Sequence, residues 1–194
     1  MSAVEDRLSA LGITVPEVVP PVASYVPASR TGNLVYTSGQ LPFVDGVLMA
    51  TGLLGKDVDE ETAAKCAAQC AVNAIAAIKS LIGDLDKVVR VVKVVGFVAS
   101  TPDFTKQPVV INGASDLFIQ AFGDAGKHIM GTGLLQLGRR RTGARRLLSR
   151  SKRRPLGMTQ AYFVTGTDTE IGKIAPAFRH LDNVSTPELR KMLP

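Results

Sequence analysis

The sequence predicts an α+β domain over roughly its first two thirds. Apolar residues recur at helical spacing over residues 57–83, and a run rich in β-branched residues follows over 87–100. A second helical pattern begins behind a proline and covers residues 108–126. The order of strands, helix, strand and helix indicates that both helices pack over one sheet.

The elements begin with a predicted strand at Leu34–Thr37, which is closed by Ser-Gly and a proline. Asp45-Gly46 is a turn dipeptide. The helix over 57–83 has acidic residues in its first turn, as the helix dipole prefers, and Gly83 is the expected stop. Its apolar face is predicted to consist of Ala67, Ala71, Ala74, Ile75, Ile78 and Ile82.

The later elements are a strand over 87–100 and a helix over 108–126. Arg90 and Lys93 interrupt the strand without a clean alternation of polar and apolar residues. The sequence therefore does not determine which face of the strand is exposed to solvent. The helix ends at Gly123 or Gly126, and its apolar residues are Leu117, Phe118, Ala121 and Phe122.

Composition favours a globular protein of one domain, with or without an appendage. The chain has 194 residues, of which 45% are hydrophobic. No continuous apolar run reaches the roughly 18–20 residues of a membrane span, and the N-terminus lacks the layout of a signal peptide, so we expect a cytoplasmic protein without membrane contact. Cys66 and Cys70 lie four residues apart on one helix face, which favours packed thiols; a zinc site would lack two ligands.

The charge balance changes abruptly after residue 128. Residues 1–128 hold 10 basic and 13 acidic side chains, net −3, whereas residues 129–194 hold 13 and 4, net +9. We therefore divide the chain into an α+β domain at 1–128, a basic segment without pattern at 129–157, and a short tail at 158–194. The strands needed to finish the sheet are not evident after residue 126, so the prediction is a poorly ordered basic tail and an open sheet edge.

The basic segment invites a nucleic-acid interpretation. Residues 139–154 contain nine basic residues in sixteen and no acid. Clustered basic residues bind phosphates, but no aromatic residue is interleaved to stack on bases, so only non-specific binding to polyanions is expected.

Residues 1–128 resemble the RidA/YjgF family, specifically its longer subgroup known as endoribonuclease L-PSP or chorismate-mutase-like. The matching text is "PVASYVPASRTGNLVYTSGQLPFVDG", "TGLLGKDVDEETAAKCAAQCAVNAIAAIK", "GDLDKVVRVVKVVGFVASTPDF" and "QPVVINGASDLFIQAFGDAGKH". The resemblance implies two helices on one face of a mixed sheet and a homotrimer with clefts between adjacent subunits. It also implies hydrolysis of enamine and imine intermediates such as 2-aminoacrylate, with no cofactor and no metal.

The resemblance also implies four substrate-binding residues, each with a structural alternative. Tyr25 matches the cleft tyrosine of the family, or is a half-buried aromatic at a rim. Ser38 and Gly39 match the loop after the second strand, or merely end that strand. Asn112 matches a polar cleft residue, or caps the helix that follows it. No catalytic residue is assigned, and no role is given to the isolated His128 and His180.

The chain departs from the family pattern after His128. The family segment resembles "HARSAVG…LPL…VEVEL", and its arginine makes a bidentate contact with the substrate carboxylate. Here His128 is followed by "IMGTGLLQLGRRR", so the Arg-Ser pair and the Val-Glu-Val-Glu strand are missing, and Arg139–Arg141 lie too far along to replace the arginine. We interpret residues 129 to about 157 as the product of a shifted reading frame.

Residues 158–173, "MTQAYFVTGTDTEIGK", are similar to the start of dethiobiotin synthetases, which bind ATP through a phosphate-binding loop. Gly166, Gly172 and Lys173 fit such a loop, but Ile174 stands where the magnesium-binding hydroxyl belongs. ATP binding is therefore not expected, and the stretch is interpreted as a fusion or readthrough.

Three functions remain open from the sequence. The first is an enamine/imine deaminase whose activity is impaired by loss of the carboxylate-binding arginine. The second is a non-catalytic protein of the same fold that binds small carboxylates or serves as a scaffold. The third, more distant, is a nucleotide- or RNA-binding protein that uses the tail.

Overall fold

The structure is a computed structural model that describes residues 2–18, 24–134 and 156–165. Its elements are the helices α1 Ala3–Ala10, α2 Glu60–Ile82 and α3 Gln107–Phe122 and the strands β1 Ala28–Thr31, β2 Leu34–Thr37, β3 Phe43–Val44, β4 Val47–Leu48, β5 Val88–Val98, β6 Ile129–Leu134 and β7 Gly157–Thr165.

The main sheet has five strands in the order β1-β2-β7-β5-β6. Strands β5 and β6 run parallel, and the other neighbouring pairs are antiparallel. The sheet is therefore mixed, and the α+β prediction is confirmed. Strands β3 and β4 form a separate hairpin, whose Asp45 and Gly46 both have positive φ as a tight two-residue hairpin turn requires.

Helix α2 begins and ends where the sequence predicted, within a few residues. The Asp59 carboxylate caps it by accepting from the Thr62 backbone N–H at 2.7 Å, and Gly83 ends it with φ 79°. By length and composition alone α2 could cross a membrane, but 67% of its most apolar window is buried within the domain. A core helix passes the same test, so this is weak evidence for a span.

Helices α2 and α3 pack against each other over one face of the sheet. At Gly113 of α3 an added Cβ would lie 2.1 Å from the Ala64 carbonyl oxygen of α2, so the two helices approach too closely for any larger residue. The sheet face beneath them is fully buried; its side chains include Val35, Val91, Val94, Ala161 and Phe163. This packing places the core between the two helices and the sheet.

The prediction that the C-terminal strands are missing is wrong. Strand β6 pairs with β5 at the edge that was expected to be open, and β7 lies in the middle of the sheet between β2 and β5. Strand β7 buries alternate residues and so follows the strand period; the buried residues are Thr159, Ala161, Phe163 and Thr165. The basic residues 139–154 and the glycine loop from 166 onward lie outside the described residues.

Helix α1 was not predicted; it buries Val4 and Leu8 in the core and is also fixed by polar contacts. The Ser2 side chain and Glu5 form a capping box. The Asp86 carboxylate accepts from the backbone N–H groups of Ala3 and Val4 at 2.8 and 3.1 Å, and these contacts lower the pKa of Asp86. An ion pair with Lys79 similarly lowers the pKa of Glu5. These contacts attach α1 to the rest of the domain.

The two cysteines are buried in α2 and are not joined by a disulfide. Burial raises the pKa of both thiols, most strongly for Cys70. The Cys70 thiol also forms a hydrogen bond with Thr159 of β7. The packed-thiol prediction is thus confirmed, because thiols in this environment stay protonated and unreactive.

Candidate functional site

Three of the four predicted site residues lie at what we call the β1–β2 corner, defined as residues 25–27 before β1 and 38–40 after β2. Tyr25 is 44% exposed and Gly39 is half-buried. The Ser38 hydroxyl donates to the Val26 carbonyl oxygen at 2.6 Å, and the Ser38 backbone N–H donates to the Pro27 carbonyl oxygen at 2.9 Å. Ser38 therefore joins the two chain segments of the corner.

Gln40 attaches the corner to the centre of the sheet. Its backbone N–H donates to the Thr159 carbonyl oxygen at 2.8 Å, and the Thr159 N–H donates back to Gln40 at 3.0 Å. The Gln40 side-chain amide donates to the Ser38 carbonyl oxygen at 3.1 Å. The shape of the corner is therefore set by backbone contacts to β7.

The fourth predicted residue, Asn112, lies on the exposed surface of α3. It is the sixth residue of a helix that begins at Gln107, so the alternative that it caps this helix is wrong. The N-cap position is Lys106, whose side chain makes no capping bond. Within the described part of the chain the Asn112 amide makes no side-chain hydrogen bond, which leaves it available to a ligand.

Next to Asn112 lies a polar cluster that the sequence analysis missed. We call it the α3–β6 edge; it consists of Asn112, Ser115, Gly126, His128 and Met130. The Ser115 hydroxyl is 3.0 Å from Nε2 of His128, and the Met130 sulfur is 3.8 Å from the same hydroxyl. Nδ1 of His128 is 2.6 Å from the Gly126 carbonyl oxygen. His128 is therefore not isolated, contrary to the prediction.

Packing fixes this cluster. The His128 ring meets the buried Phe118 ring edge to face, with centroids 6.0 Å apart. At Gly126 an added Cβ would lie 2.2 Å from the Phe118 carbonyl oxygen, so only glycine lets this segment approach α3. The sequence offered one usable signal for the cluster: His128 and Met130 are two residues apart, which places both on one face of a strand once 129–134 is known to be one.

The β1–β2 corner and the α3–β6 edge lie near opposite ends of the strand order of the main sheet. Strand β2 is separated from β6 by β7 and β5, and three strand spacings amount to about 14 Å. Helix α3 packs on α1, α2, β5 and β6. One chain therefore does not bring Asn112 together with Tyr25, Ser38 or Gly39.

Three of the charged side chains near the α3–β6 edge are directed elsewhere. Lys127 pairs with Asp124 at 2.7 Å, which raises the pKa of Lys127 and lowers that of Asp124. The Lys93 side chain lies beside Gly131, whose position on β6 points to the face opposite Met130. Asp116, an exposed α3 residue four positions after Asn112, adds a carboxylate here, so the edge offers hydroxyl, imidazole, amide, thioether and carboxylate groups.

A groove of 660 Å³ lies elsewhere, between the segment after α1, the β3–β4 hairpin and α2. Its buried polar residue Asn73 already donates to the carbonyl oxygens of Leu41 and Phe43 at 2.8 and 3.1 Å. Gln69 likewise donates to Phe43 and Asn73. Because these amides hold the hairpin, and none of the predicted site residues lines the groove, we do not treat it as the candidate site.

No cluster of three or more His, Cys, Asp or Glu side chains that could hold a metal ion occurs among residues 2–18, 24–134 and 156–165.

These features define a class: an α+β protein with two helices packed on one face of a mixed five-stranded sheet. A family model described as YjgF/chorismate mutase-like, "putative endoribonuclease", matches residues 5–133. The chain belongs to this family.

Individual relatives are also similar to this chain in sequence and fold. Protein TCP17 of Trypanosoma cruzi is 40% identical over 123 residues, which cover 63% of this chain and 77% of TCP17. The crystal structure of Atu1372, a protein of unknown function from Agrobacterium tumefaciens, is 38% identical with a TM-score of 0.71, covering 84% of this chain and 94% of that one. The crystal structure of a "putative endoribonuclease" from Shewanella oneidensis is 27% identical with a TM-score of 0.73, covering 84% of this chain and 99% of that one.

Proposed function

We propose that this protein hydrolyses small enamine and imine carboxylates such as 2-aminoacrylate, with low activity. Water adds to the imine carbon, ammonia leaves, and a 2-oxo acid is formed. The protein has to hold the substrate carboxylate and place a water molecule at that carbon. The observation that carries the proposal is the available Asn112 amide at the α3–β6 edge of a chain in the YjgF family.

The proposal includes a homotrimer in the cytoplasm. Tyr25 and Asn112 lie near opposite ends of the strand order of one sheet. They can therefore contact one substrate only if the β1–β2 corner of one copy meets the α3–β6 edge of the next. Such a head-to-tail contact is heterologous, and it closes a ring of three when each copy is rotated by 120° from the last. This division of groups is what a cleft between subunits requires.

Low activity is expected from the residue at position 130. In the family segment resembling "HARSAVG", the arginine stands two residues after the histidine; here that position is Met130, which is 41% exposed. A thioether cannot replace the bidentate contact of a guanidinium with a carboxylate. The substrate would therefore be bound without its main charged contact.

The test uses 2-aminoacrylate produced in situ from serine by a pyridoxal-phosphate enzyme, with 2-oxo acid formation followed in excess of the spontaneous rate. We expect slight turnover by the natural chain and a gain of at least about tenfold for Met130→Arg, because hydrogen bonds to charged groups contribute about 1.5–3 kcal/mol. Gln120→Arg, an exposed α3 position, controls for added charge alone. Natural-chain turnover that Asn112→Ala leaves unchanged would reject the proposal.

The second candidate is a protein of this fold that binds small carboxylates without turning them over, favoured by the same Met130. It predicts saturable binding of pyruvate or serine in calorimetry without any rate above the spontaneous one, in both the natural chain and Met130→Arg. A nucleotide-binding function has less support, because β7 is antiparallel to both neighbours, whereas phosphate-binding loops follow a strand in a βαβ unit.

A further inference from the structure

Ser115 and His128 have the geometry of a nucleophile and its base. A serine within a helix ordinarily bonds to a carbonyl of the preceding turn, as Ser80 of α2 does with Ala77 at 2.8 Å. The Ser115 hydroxyl instead lies 3.0 Å from a ring nitrogen of His128, thirteen residues further along the chain. This distance is within the range seen for activated hydroxyl nucleophiles.

The tautomer of His128 follows from its second contact. Nδ1 is 2.6 Å from the Gly126 carbonyl oxygen, and a carbonyl oxygen can only accept a hydrogen bond. In the neutral ring Nδ1 therefore carries the proton, and Nε2 is left as the acceptor that faces Ser115. The Gly126 carbonyl thus has the orienting role that a carboxylate has in a Ser-His-Asp triad.

The surroundings keep the ring in place and leave the hydroxyl accessible. The Phe118 ring supports the imidazole, and Gly126 packs directly on the backbone of α3. Ser115 and His128 are both half-buried, and the neighbouring Met130 is exposed. Asn112 is three residues before Ser115, so its side chain lies on the same helix face, with Cβ atoms about 5–6 Å apart.

We infer that Ser115 is an acyl-accepting nucleophile, with His128 as its general base and small uncharged esters as its substrates. The Ser115 oxygen attacks the ester carbonyl carbon while its proton passes to Nε2. The carbon–oxygen bond to the leaving alcohol then breaks, and the alcohol takes that proton. Water, deprotonated by Nε2, subsequently attacks the acyl-serine, releasing the acid and restoring Ser115. The Asn112 amide is the candidate donor to the oxyanion.

This activity goes beyond the proposed deamination and does not depend on it. It needs no carboxylate on the substrate, and both reacting groups come from one chain. An apolar, uncharged acyl group suits the thioether and amide of the edge, where Lys127 is paired with Asp124.

The test uses the full chain and p-nitrophenyl acetate, with peptide mass mapping to locate the acetyl group. We expect acetylation of Ser115, its complete loss in Ser115→Ala, and a rate about 10²-fold lower in His128→Gln, which keeps a hydrogen-bonding group but removes the base. Ser80→Ala is the matched helix serine and is expected to react like the natural chain. Acetylation confined to lysines or tyrosines, or a Ser115 rate unchanged by His128→Gln, would overturn the inference.

A measurement on the natural chain covers the case in which the variants do not fold. The sequence contains only two histidines, so ¹⁵N spectra can be assigned with His180→Gln alone. The inference predicts the Nδ1–H tautomer for His128 at neutral pH. The Nε2–H tautomer would contradict it, because Nε2 would then have no lone pair to accept the serine proton.

Discussion

The two halves of the candidate site use their polar groups differently. At the β1–β2 corner, the Ser38 hydroxyl and the Gln40 amide both bond to backbone carbonyl oxygens. At the α3–β6 edge, Asn112 has no side-chain bond within the described residues, and Ser115 bonds to a side chain that can take up a proton. These polar groups of the corner are thus used within the fold, whereas at the edge the Asn112 amide has no partner among the described residues and Ser115 faces an imidazole.

Strand β7 joins the two halves of the candidate site, because it pairs with β2 beside the corner and with β5 beside the edge. Phe163 is fully buried, and its ring lies 5.6 and 6.2 Å from the rings of Phe118 and Phe122. We expect Phe163→Ala to lower the free energy of unfolding by about 3–5 kcal/mol, from lost burial and the cavity left behind. Denaturant unfolding measures this.

The matched control is Val47→Ala, an apolar residue that is 69% exposed in the β3–β4 hairpin, and little change is expected there. If Phe163→Ala behaved like Val47→Ala, β7 would not be part of the core, and the two halves would not be held in one sheet.

The second prediction concerns the contribution of the α3–β6 edge to deaminase activity. In the Met130→Arg background we expect Asn112→Ala to lower kcat/KM for 2-aminoacrylate about tenfold, since one lost hydrogen bond to a charged or polarised ligand amounts to about 1.4 kcal/mol. Gln120→Ala, exposed on the same helix, is the control. An equal loss in both variants would show that the edge is sensitive to any change on α3.

The third prediction concerns the corner. Ser38→Ala removes the bond to Val26 and should lower the free energy of unfolding by about 1 kcal/mol, with less effect on kcat than Asn112→Ala. Thermal unfolding and the deaminase assay, run on the same samples, distinguish the two effects. If Ser38→Ala lost kcat without losing stability, the corner would be contacting the substrate through this hydroxyl.

The smallest expected effect is a response of α1 to acid. Contacts with Lys79 and with backbone N–H groups lower the pKa of Glu5 and Asp86 in the folded protein. Their stabilisation is therefore present above the unfolded pKa values and is lost as the pH falls through the lower folded values. Arg7 of α1 donates to the Ala121 carbonyl oxygen of α3 at 2.7 Å, so this loosening reaches the edge and not the corner.

The protection of the α1 amides against hydrogen exchange, taken relative to the intrinsic exchange rate at each pH, should fall below about pH 4.5, the unperturbed pKa of Glu5. Asp86→Asn should show faster exchange already at neutral pH. Exchange that is equally fast in α1 and α2 would mean that the whole domain opens, and not α1 alone.

The sequence predicted those parts of the fold whose local pattern agrees with their environment. The Leu34–Thr37 strand and the long strand β5 follow their content of β-branched residues, and the two core helices follow helical spacing and their terminal glycines. Strands β6 and β7 were missed because β6 contains two glycines and β7 begins with mixed polar residues, so their positions are set by pairing with β5. Helix α1 was missed because side chains distant in sequence hold it.

The candidate site, too, could be predicted from the sequence only in part. Tyr25, Ser38, Gly39 and Asn112 were identified through the resemblance, and they remain predictions. The Ser115–His128 contact joins residues thirteen apart across a turn, and neither residue belongs to a pattern that periodicity or spacing would detect.

The central claim is that the corner of one copy meets the edge of another. Cross-linking tests it without any need for activity, because the two natural cysteines are buried with raised thiol pKa values. Chains carrying Tyr25→Cys and Asn112→Cys are co-expressed and treated with a short bis-maleimide. We predict a product of twice the 20.6 kDa chain mass in the mixture and not with either variant alone. If the mixture gave no such product, while a single chain carrying both changes cross-linked internally, the cleft between copies would be wrong.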